Sequence, residues 1–279
     1  MKKFHLFIFL IFLLRLTGKA QDEINLRDRF YTRIGVGYGI GLCNYDPCDD
    51  YDEDYYPTYD DLRSINFVPG RGFDADVGAG YMFTRNIGAE LDVNSFFGLP
   101  IKLTKNNYYS EGAGQTLTEQ YSGTLLQLTP SFVLDLGLDK VDPYARFGLS
   151  IGVFPQILYK ETDVSVTATT SYVGKYMGNV PLGYSAAAGV KYKLDNHFSL
   201  FGEFDCNGLN YSPTKYKLTK YTVNGMDELS TLSTRDKEID FVKSYDASQT
   251  ISSDSPNKQL RQSFPFSNFE INIGAQYRF

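Results

Sequence analysis

The sequence predicts an all-β fold: an eight-stranded antiparallel up-and-down transmembrane β-barrel with short periplasmic turns and four long extracellular loops. Three observations support this prediction. Apolar and polar residues alternate with period two in eight segments, the connections between the segments alternate between short and long, and the charged parity also carries small residues. Period two is typical of strands, whose side chains point alternately to the two faces of a sheet. Each segment is long enough for a tilted transmembrane strand, which needs about 9–11 residues.

The alternation is clearest in the C-terminal sequence FEINIGAQYRF, where Phe269, Ile271 and Ile273 share one parity and Glu270 and Asn272 the other. The eight segments with this pattern lie at 30–42, 73–83, 87–97, 125–138, 144–154, 184–194, 198–207 and 269–279. The composition agrees, because 22 Tyr, 21 Phe and 25 Gly are what strands and their turns favour.

The connections between the predicted strands differ in length in a regular way. Tight turns lie at 84–86, 139–142 and 195–197, and long polar segments lie at about 43–68, 100–121, 161–180 and 212–262. In an up-and-down sheet the long segments all emerge at one end, which is the asymmetry of bacterial transmembrane barrels. Within the last segment, KYKLTKYTV (215–223) and KEIDFVKSY (237–245) are predicted to pair as a hairpin above the membrane. Ten membrane strands are less favoured, because lysines of the first segment would then face lipid.

The choice between a membrane barrel and a soluble fold depends on which face carries the charge. A lipocalin-like barrel or a secreted β-sandwich would also alternate, but its outer face would be polar. Here the charged parity also carries small residues that suit a narrow interior, such as Gly35, Gly78 and Gly148. The apolar parity is therefore predicted to face lipid, where a sheet must close to satisfy its backbone groups.

The N-terminal sequence MKKFHLFIFLIFLLRLTGKAQ has two lysines, a short apolar run and small residues before Gln21, which indicates a cleaved secretory signal peptide. A membrane anchor is disfavoured because the run is too short to span a bilayer. The predicted organisation is a signal peptide at 1–20, a short periplasmic segment at 21–29 and the barrel at 30–279. Loss of the signal moves the formal charge from -6 to -10, and such an acidic chain is not expected to bind nucleic acid.

Several of these segments resemble a known family. The end of the signal, GKAQ, the strand-turn-strand units GAGYMFTRNIGAELDV and GVKYKLDNHFSLFGEFD, and the final aromatic residue resemble the outer-membrane β-barrel proteins common in Bacteroidetes, whose architecture is like that of the membrane domain of outer-membrane protein A. The resemblance covers the eight strands but not the loops. It implies that Phe279 is the signal read by the barrel-assembly machinery, and it carries no catalytic residues.

The lumen-facing parity carries charges of both signs near the periplasmic ends of the strands. Arg33, Glu90, Asp135, Arg146 and Lys191 each lie about three residues from that end. Buried charges need partners, and eight strands enclose an interior just wide enough for side chains. These five residues are therefore predicted to form a belt of opposite charges that plugs the lumen.

The cysteines and one acidic run are the remaining candidates for special chemistry. Cys43 and Cys48, in CNYDPC of the first extracellular loop, are a candidate disulfide because the compartment is oxidising and the spacing lets them meet. Cys206 lies on the lipid-facing parity, as a small apolar filler. The run DPCDDYDEDYYPTYDD (46–61) offers oxygen ligands for calcium or an aromatic recognition surface, but such runs usually mark solvated loops. No metal or cofactor is predicted.

Enzymatic activity is not expected, because the sites of barrel enzymes generally need a histidine base beside a nucleophile or acid. His5 lies in the signal peptide and His197 in a predicted periplasmic turn, so an extracellular site would lack histidine. Carboxylate-only chemistry stays open. The glycine run GVGYGIG (35–41) lacks the spacing of a nucleotide-binding loop and reflects strand alternation.

The expected function is a structural or surface-interaction role in the cell envelope. The expected partners are outer-membrane lipid, the barrel-assembly machinery, and an extracellular ligand or an envelope protein. Two alternatives stay open. One is a small, gated, porin-like channel, which would need a wider lumen than these side chains leave, and the other is an accessory barrel of a secretion or gliding apparatus.

Overall fold

The computed structural model describes residues 29–42, 69–108, 114–246 and 250–279. Within these residues, eight antiparallel strands close into a barrel, which confirms the predicted fold class. They are β1 (Phe30–Gly41), β2 (Gly72–Met82), β3 (Ile87–Gly98), β5 (Gly114–Asp135), β6 (Val141–Val164), β8 (Leu182–Lys193), β9 (Phe198–Gly208) and β16 (Asn268–Arg278). The barrel closes where β16 pairs with β1, with Arg278 opposite Tyr31.

Side chains fix the tight turns at the end of the barrel where the chain enters. The hydroxyl of Thr84 accepts hydrogen bonds from the backbone N–H of Asn86 at 3.2 Å and of Ile87 at 3.0 Å. The carboxylate of Asp195 accepts two, from the N–H groups of His197 and Phe198, each at 2.7 Å. Such turns hold neighbouring strands in register with few residues.

The barrel is polar inside and apolar outside. Arg33 and Glu203 are 4% and 2% exposed, whereas Ile34 and Phe132 are 65% and 68% exposed. Glycine makes room for the luminal side chains: a Cβ added at Gly37 would lie 2.4 Å from Oδ1 of Asp74. The predicted assignment of the apolar parity to the outer surface is therefore confirmed.

Strands β5 and β6 continue beyond the barrel, so much of the two segments predicted as loops at 100–121 and 161–180 is strand instead. The additional strands are β4 (Ile101–Tyr108), β7 (Thr169–Met177), β11 (Lys215–Val223), β12 (Met226–Asp227), β13 (Glu238–Val242) and β14 (Asn257–Leu260). Together with the upper halves of β5 and β6 they form the extracellular sheet, in the order β14-β13-β11-β7-β6-β5-β4, with β12 beside β11. The predicted pairing of 215–223 with 237–245 is confirmed, since Lys217 lies opposite Glu238.

Two short helical elements connect β12 to β13. A 3-10 turn (Leu229–Thr231) precedes helix α1 (Thr234–Lys237), and the side chain of the N-cap residue Ser233 accepts a hydrogen bond from the backbone of Asp236. None of the helices in the described part of the chain is long and apolar enough to cross a membrane.

A β-bulge in β6 marks the boundary between the barrel and the extracellular sheet. Leu126 of β5 pairs with Val153, but Thr124 pairs with Gln156, so β6 has one extra residue here. Phe154 at this point has a φ of 51°, a left-handed conformation that non-glycine residues rarely adopt. The extra residue reverses the parity of β6, whose odd-numbered residues face outward before the bulge and inward after it.

An apolar cluster fills the extracellular mouth of the barrel. Strands β10 (Asn210–Tyr211) and β15 (Phe264–Pro265) pair as a separate two-stranded sheet. Tyr211 and Phe264 are both fully buried. The cluster, named the mouth plug below, consists of Phe96, Tyr121, Leu125, Ile157, Leu209, Tyr211, Phe264 and Phe266.

Candidate functional site

The lumen near the periplasmic end is crossed by ion pairs that converge on Arg146 of β6. Its guanidinium donates to Glu90 of β3 and to Glu203 of β9, both at 2.7 Å. It also pairs with Asp92, and Asp205 lies 3.5 Å away. These carboxylates come from strands on opposite sides of the barrel, so the Arg146 side chain links opposite walls through ion pairs.

Arg33 of β1 joins the same network from another wall. It pairs with Asp76 at 3.1 Å, with Glu90 at 3.7 Å and with Glu203. The guanidinium carbon also lies 4.1 Å from the ring centre of Phe201, a cation–π contact. We call this network the arginine cluster; its members are Arg33, Asp76, Glu90, Asp92, Arg146, Glu203 and Asp205.

A separate ion pair joins Lys191 and Asp135, at 2.5 Å. Tyr144 connects this pair to the arginine cluster, because its ring lies 4.9 Å from the ammonium of Lys191 and its hydroxyl donates to Glu203 at 2.6 Å. The five residues of the predicted belt are thus all luminal and all engaged in ion pairs, but in two groups. Arg33, Glu90 and Arg146 belong to the cluster, and Asp135 and Lys191 form the pair.

Four members of the arginine cluster, Asp76, Asp92, Glu203 and Asp205, were not among the predicted residues. The sequence does indicate that these four residues are luminal, since each lies on the lumen-facing parity of its strand. Distance from the periplasmic end does not reveal them, because long arginine side chains reach carboxylates at other heights of the barrel wall.

Above the arginine cluster, the lumen is filled by carboxylates and amides. Asn94 donates to Asp74 at 2.9 Å, Asn272 donates to Asp205 at 2.5 Å, and Asn207 donates to Glu270 at 3.2 Å. The mouth plug then covers this layer. Its aromatic members at 211, 264 and 266 lie between the predicted strands (198–207 and 269–279) and the loop predicted at about 212–262, where the alternation is too short to reveal a buried role.

The extracellular sheet carries a groove of about 310 Å³ on its inner face. Its lining is Tyr159, Glu161, Tyr172, Tyr216, Leu218, Tyr221, Leu232 and Asp236. Tyr172 and Tyr221 pack with their ring centres 5.0 Å apart. Burial, with the charge of Glu161 nearby, raises the pKa of Tyr216 to about 12, so its hydroxyl remains protonated. We call this feature the tyrosine groove; it combines aromatic faces, hydroxyls and two carboxylates.

The other predicted sites fall in different places. Phe279 lies at the periplasmic end, about half exposed, where its backbone N–H donates to the carbonyl of Phe30 at 3.0 Å. Its ring packs against Tyr277 at 5.1 Å. The candidate disulfide Cys43 and Cys48, the acidic run 46–61 and the signal peptide 1–20 lie outside the described residues. Cys206 is a free cysteine on β9.

Metal-ligating groups and histidine are the last candidates to place among the described residues. No group of three or more His, Cys, Asp or Glu side chains among them is arranged to hold a metal ion. His197 lies in the turn before β9 and stacks on Tyr277, with ring centres 6.0 Å apart. It is therefore at the opposite end of the barrel from the tyrosine groove.

Comparison with a family model agrees with this architecture. The chain matches the model of the outer membrane protein beta-barrel domain over residues 9–226, and no curated protein matches it. Among solved structures, OprG from Pseudomonas aeruginosa is 12% identical, with 91% of this chain and 97% of that chain covered and a TM-score of 0.41. Neisserial surface protein A is also 12% identical (90% and 97% covered, TM-score 0.33). Ail, the attachment invasion locus protein of Yersinia pestis, is 11% identical (90% and 97% covered, TM-score 0.31). Since the family model spans most of the chain, this protein belongs to the outer membrane β-barrel family.

Proposed function

We propose that this protein is a non-enzymatic outer-membrane barrel with a structural and surface-interaction role, and that the extracellular sheet is its working surface. The observation that carries the proposal is the contrast between a filled lumen and an elaborated outer end. Ion pairs, an amide layer and the mouth plug follow one another along the lumen, whereas β5 and β6 continue outward into the extracellular sheet.

The filling of the lumen disfavours the porin-like alternative. Ions cross a narrow pore where water keeps them hydrated, or where backbone carbonyls or a ring of like-charged side chains take the place of their hydration shell. Here the wall charges are of both signs and bonded to each other, and Phe264 and Tyr211 are fully buried in the mouth. Conduction would require the ion pairs and the mouth plug to open together.

The tyrosine groove is the part of the sheet best suited to contact a partner. Tyrosines supply large, rigid contact area together with hydrogen-bonding hydroxyls, the combination that is enriched at recognition surfaces. Glu161 and Asp236 add negative charge to its lining. With His197 at the periplasmic end, the groove has the character of a binding surface rather than of a catalytic site.

The finer features of the proposal concern export, assembly and context. The segment 1–20 acts as a cleaved signal peptide, the chain is of the Bacteroidetes type, and its partner is an extracellular ligand or an envelope protein, including one of a secretion or gliding apparatus. Phe279 acts as the assembly signal. Deletion of Phe279 is therefore expected to reduce insertion into the outer membrane far more than Arg278→Gln, and equal yields of the two would remove the assembly role.

The test of the proposal combines capture of partners with conduction. Wild-type protein and the variant Tyr172→Ala/Tyr221→Ala are purified from native membranes, and co-purifying proteins are compared. Tyr245→Ala, an exposed tyrosine of the same extracellular region, is the matched control. We expect a partner retained by the wild type and the control but lost from the double variant, and no steady conductance in a planar bilayer. Steady, large wild-type conductance, with identical partners for all three proteins, would replace this proposal with the channel.

A further inference from the structure

The outer face of the extracellular sheet concentrates lysine side chains. Strand pairing places them on this face, because Lys102 and Lys160 both lie opposite Gln120, and Lys175 lies opposite Lys217. Among the described residues, the set comprises Lys102, Lys160, Lys175, Lys215, Lys217, Lys220 and Lys258. We call it the lysine face.

The charge of this face is opposite to that of the chain as a whole. The full sequence has 33 acidic and 27 basic residues, yet the acidic side chains on the lysine face, within the described strands, are Glu238 and Asp240 of β13 and Asp227 of β12, which lies opposite Thr222. Glu238 pairs with Lys217 at 2.9 Å. Glu119 and Glu161 of the same sheet point to the inner face, toward Tyr159. Charge is therefore sorted between the two faces of the sheet.

Within the lysine face, like charges are placed side by side. Lys175 and Lys217 are direct cross-strand neighbours, and Lys160 and Lys220 flank the same residue, Val173. Like charges directly opposite each other destabilise a sheet unless a counter-charge lies nearby. Three carboxylates are too few to neutralise seven ammonium groups, so the face carries a net positive charge that attracts anions from outside the chain.

The position of the face indicates where those anions come from. The outer face of the sheet continues the apolar outer wall of the barrel, whose rim includes Phe154 and Leu182, 82% and 71% exposed. Lys175 lies opposite Leu158, four residues after Phe154 on β6, and Lys160 lies two residues further. A strand rises about 3.3 Å per residue, and less when it is tilted. Long lysine side chains reach toward an interface from such positions. The lysine face therefore begins where the hydrocarbon region ends.

We propose that the lysine face binds the phosphate-bearing headgroups of lipids in the outer leaflet, next to the barrel. Basic residues near a membrane surface attract anionic headgroups, and several act together. The ammonium groups supply point charges for phosphate oxygens, while Phe154 and Leu182 contact the acyl chains of the same lipids. Bound lipid then supplies the counter-charge that the sheet itself lacks. This proposal is independent of the partner proposed for the tyrosine groove.

The test uses the full-length protein in neutral detergent micelles, titrated with phosphatidylglycerol or with zwitterionic phosphatidylcholine, with bound lipids counted by native mass spectrometry. The variant Lys160→Gln/Lys175→Gln is compared with Lys237→Gln/Lys243→Gln, which removes the same charge from the same region but outside the lysine face. Lys160→Arg/Lys175→Arg keeps the charge. Heat-modifiable migration on gels verifies that each variant retains a closed barrel.

The wild type is expected to prefer phosphatidylglycerol. Apparent affinity should fall about fivefold for each lysine replaced by glutamine in the lysine face, since each basic residue near a membrane contributes about a factor of that size. The control and the arginine variant should bind as the wild type does. Equal binding of the two lipids, an equal loss in the control, or displacement of phosphatidylglycerol by millimolar inorganic phosphate would each overturn the proposal.

Discussion

The barrel and the extracellular sheet share strands β5 and β6 but distribute polarity in opposite ways. In β5, odd-numbered residues face inward along the whole strand. Below the bulge these are mainly polar residues such as Gln127 and Thr129, with Phe132 outside. Directly above it they are Leu125, Gly123 and Tyr121, with Gln120 outside, and Glu119 follows further up the strand. One strand thus carries two opposite patterns.

The difference shows that the surroundings, rather than the strand, set the pattern. In the barrel the outer wall faces lipid, and the enclosed space holds charges that pair with each other. In the extracellular sheet the outer face meets water or headgroups, and the inner face packs into the mouth plug. The stability of the barrel interior should therefore depend on charge pairing, and that of the inner face of the sheet on apolar packing.

The largest expected effect comes from breaking the arginine cluster. Arg146→Ala leaves Glu90, Asp92 and Glu203 without this partner in the lumen, and loss of one member of a buried pair costs about 3–5 kcal/mol. The free energy of unfolding, measured by urea titration in lipid vesicles, should fall by that amount. Arg85→Ala, at an exposed turn, is the control and should change it by less than about 1 kcal/mol. Similar small losses in both would mean that charge pairing does not stabilise the barrel interior.

The second prediction compares the outer face of β5 in lipid, below the bulge, with the same face in water, above the bulge. Phe132→Arg places a charge in lipid and should cost about 2–4 kcal/mol at mid-bilayer depth. Thr118→Arg lies on the outward parity of the same strand but above the bulge, so it should change stability by less than about 0.5 kcal/mol. Membrane insertion yield and urea unfolding measure both. An equal cost would place residue 118 in lipid and extend the membrane region up β5.

A smaller effect separates packed from lipid-facing methyl groups. Ile157 is fully buried in the mouth plug, so Ile157→Val should cost about 0.5–1.5 kcal/mol. Ile34 is 65% exposed on the barrel wall, where lipid chains fill the lost volume, and Ile34→Val should change stability by less than about 0.5 kcal/mol. The melting temperatures of the two variants measure this difference in stability. A larger loss at position 34 would show that the wall is packed against protein.

The smallest effect is expected at a periplasmic turn. The backbone N–H groups of Phe198 and His197 lower the pKa of Asp195. A lowered pKa in the folded state means stability that is present above the ordinary carboxyl pKa and lost as pH falls through the folded value. Asp195→Asn should therefore lower the melting temperature slightly at pH 7 and have no effect at pH 2. An equal decrease at both values would assign the effect to turn geometry rather than to charge.

The sequence predicted the barrel well because alternation is visible residue by residue. It placed β6 only up to Phe154, where the bulge interrupts the alternation, and began β5 at residue 125 because polar residues face outward above that point. Apart from the pairing of 215–223 with 237–245, the extracellular sheet was missed for the same reason: a search for apolar outer faces does not find strands whose outer faces carry lysine.

The candidate sites divide in a similar way. Luminal parity identified Arg33, Glu90, Asp135, Arg146 and Lys191 as buried charges, but not which of them meet. Which charged side chains pair depends on which residues of distant strands lie at the same height in the barrel. That height follows from strand register and barrel closure. The tyrosine groove needed β6, β7 and β11 to be side by side, although β11 is distant from β6 in sequence.

The sequence by itself determined the number of barrel strands, the face that meets lipid and the end from which the long connections emerge. These properties are local, because the polarity of each side chain matches the environment on its own side of the sheet. Only the tertiary structure decided the partners of the luminal charges, the mouth plug and the continuation of β5 and β6 into a second sheet. Those features join residues far apart in the chain, such as Arg33 and Glu203, and long-range pairing is fixed by closure and register rather than by local pattern.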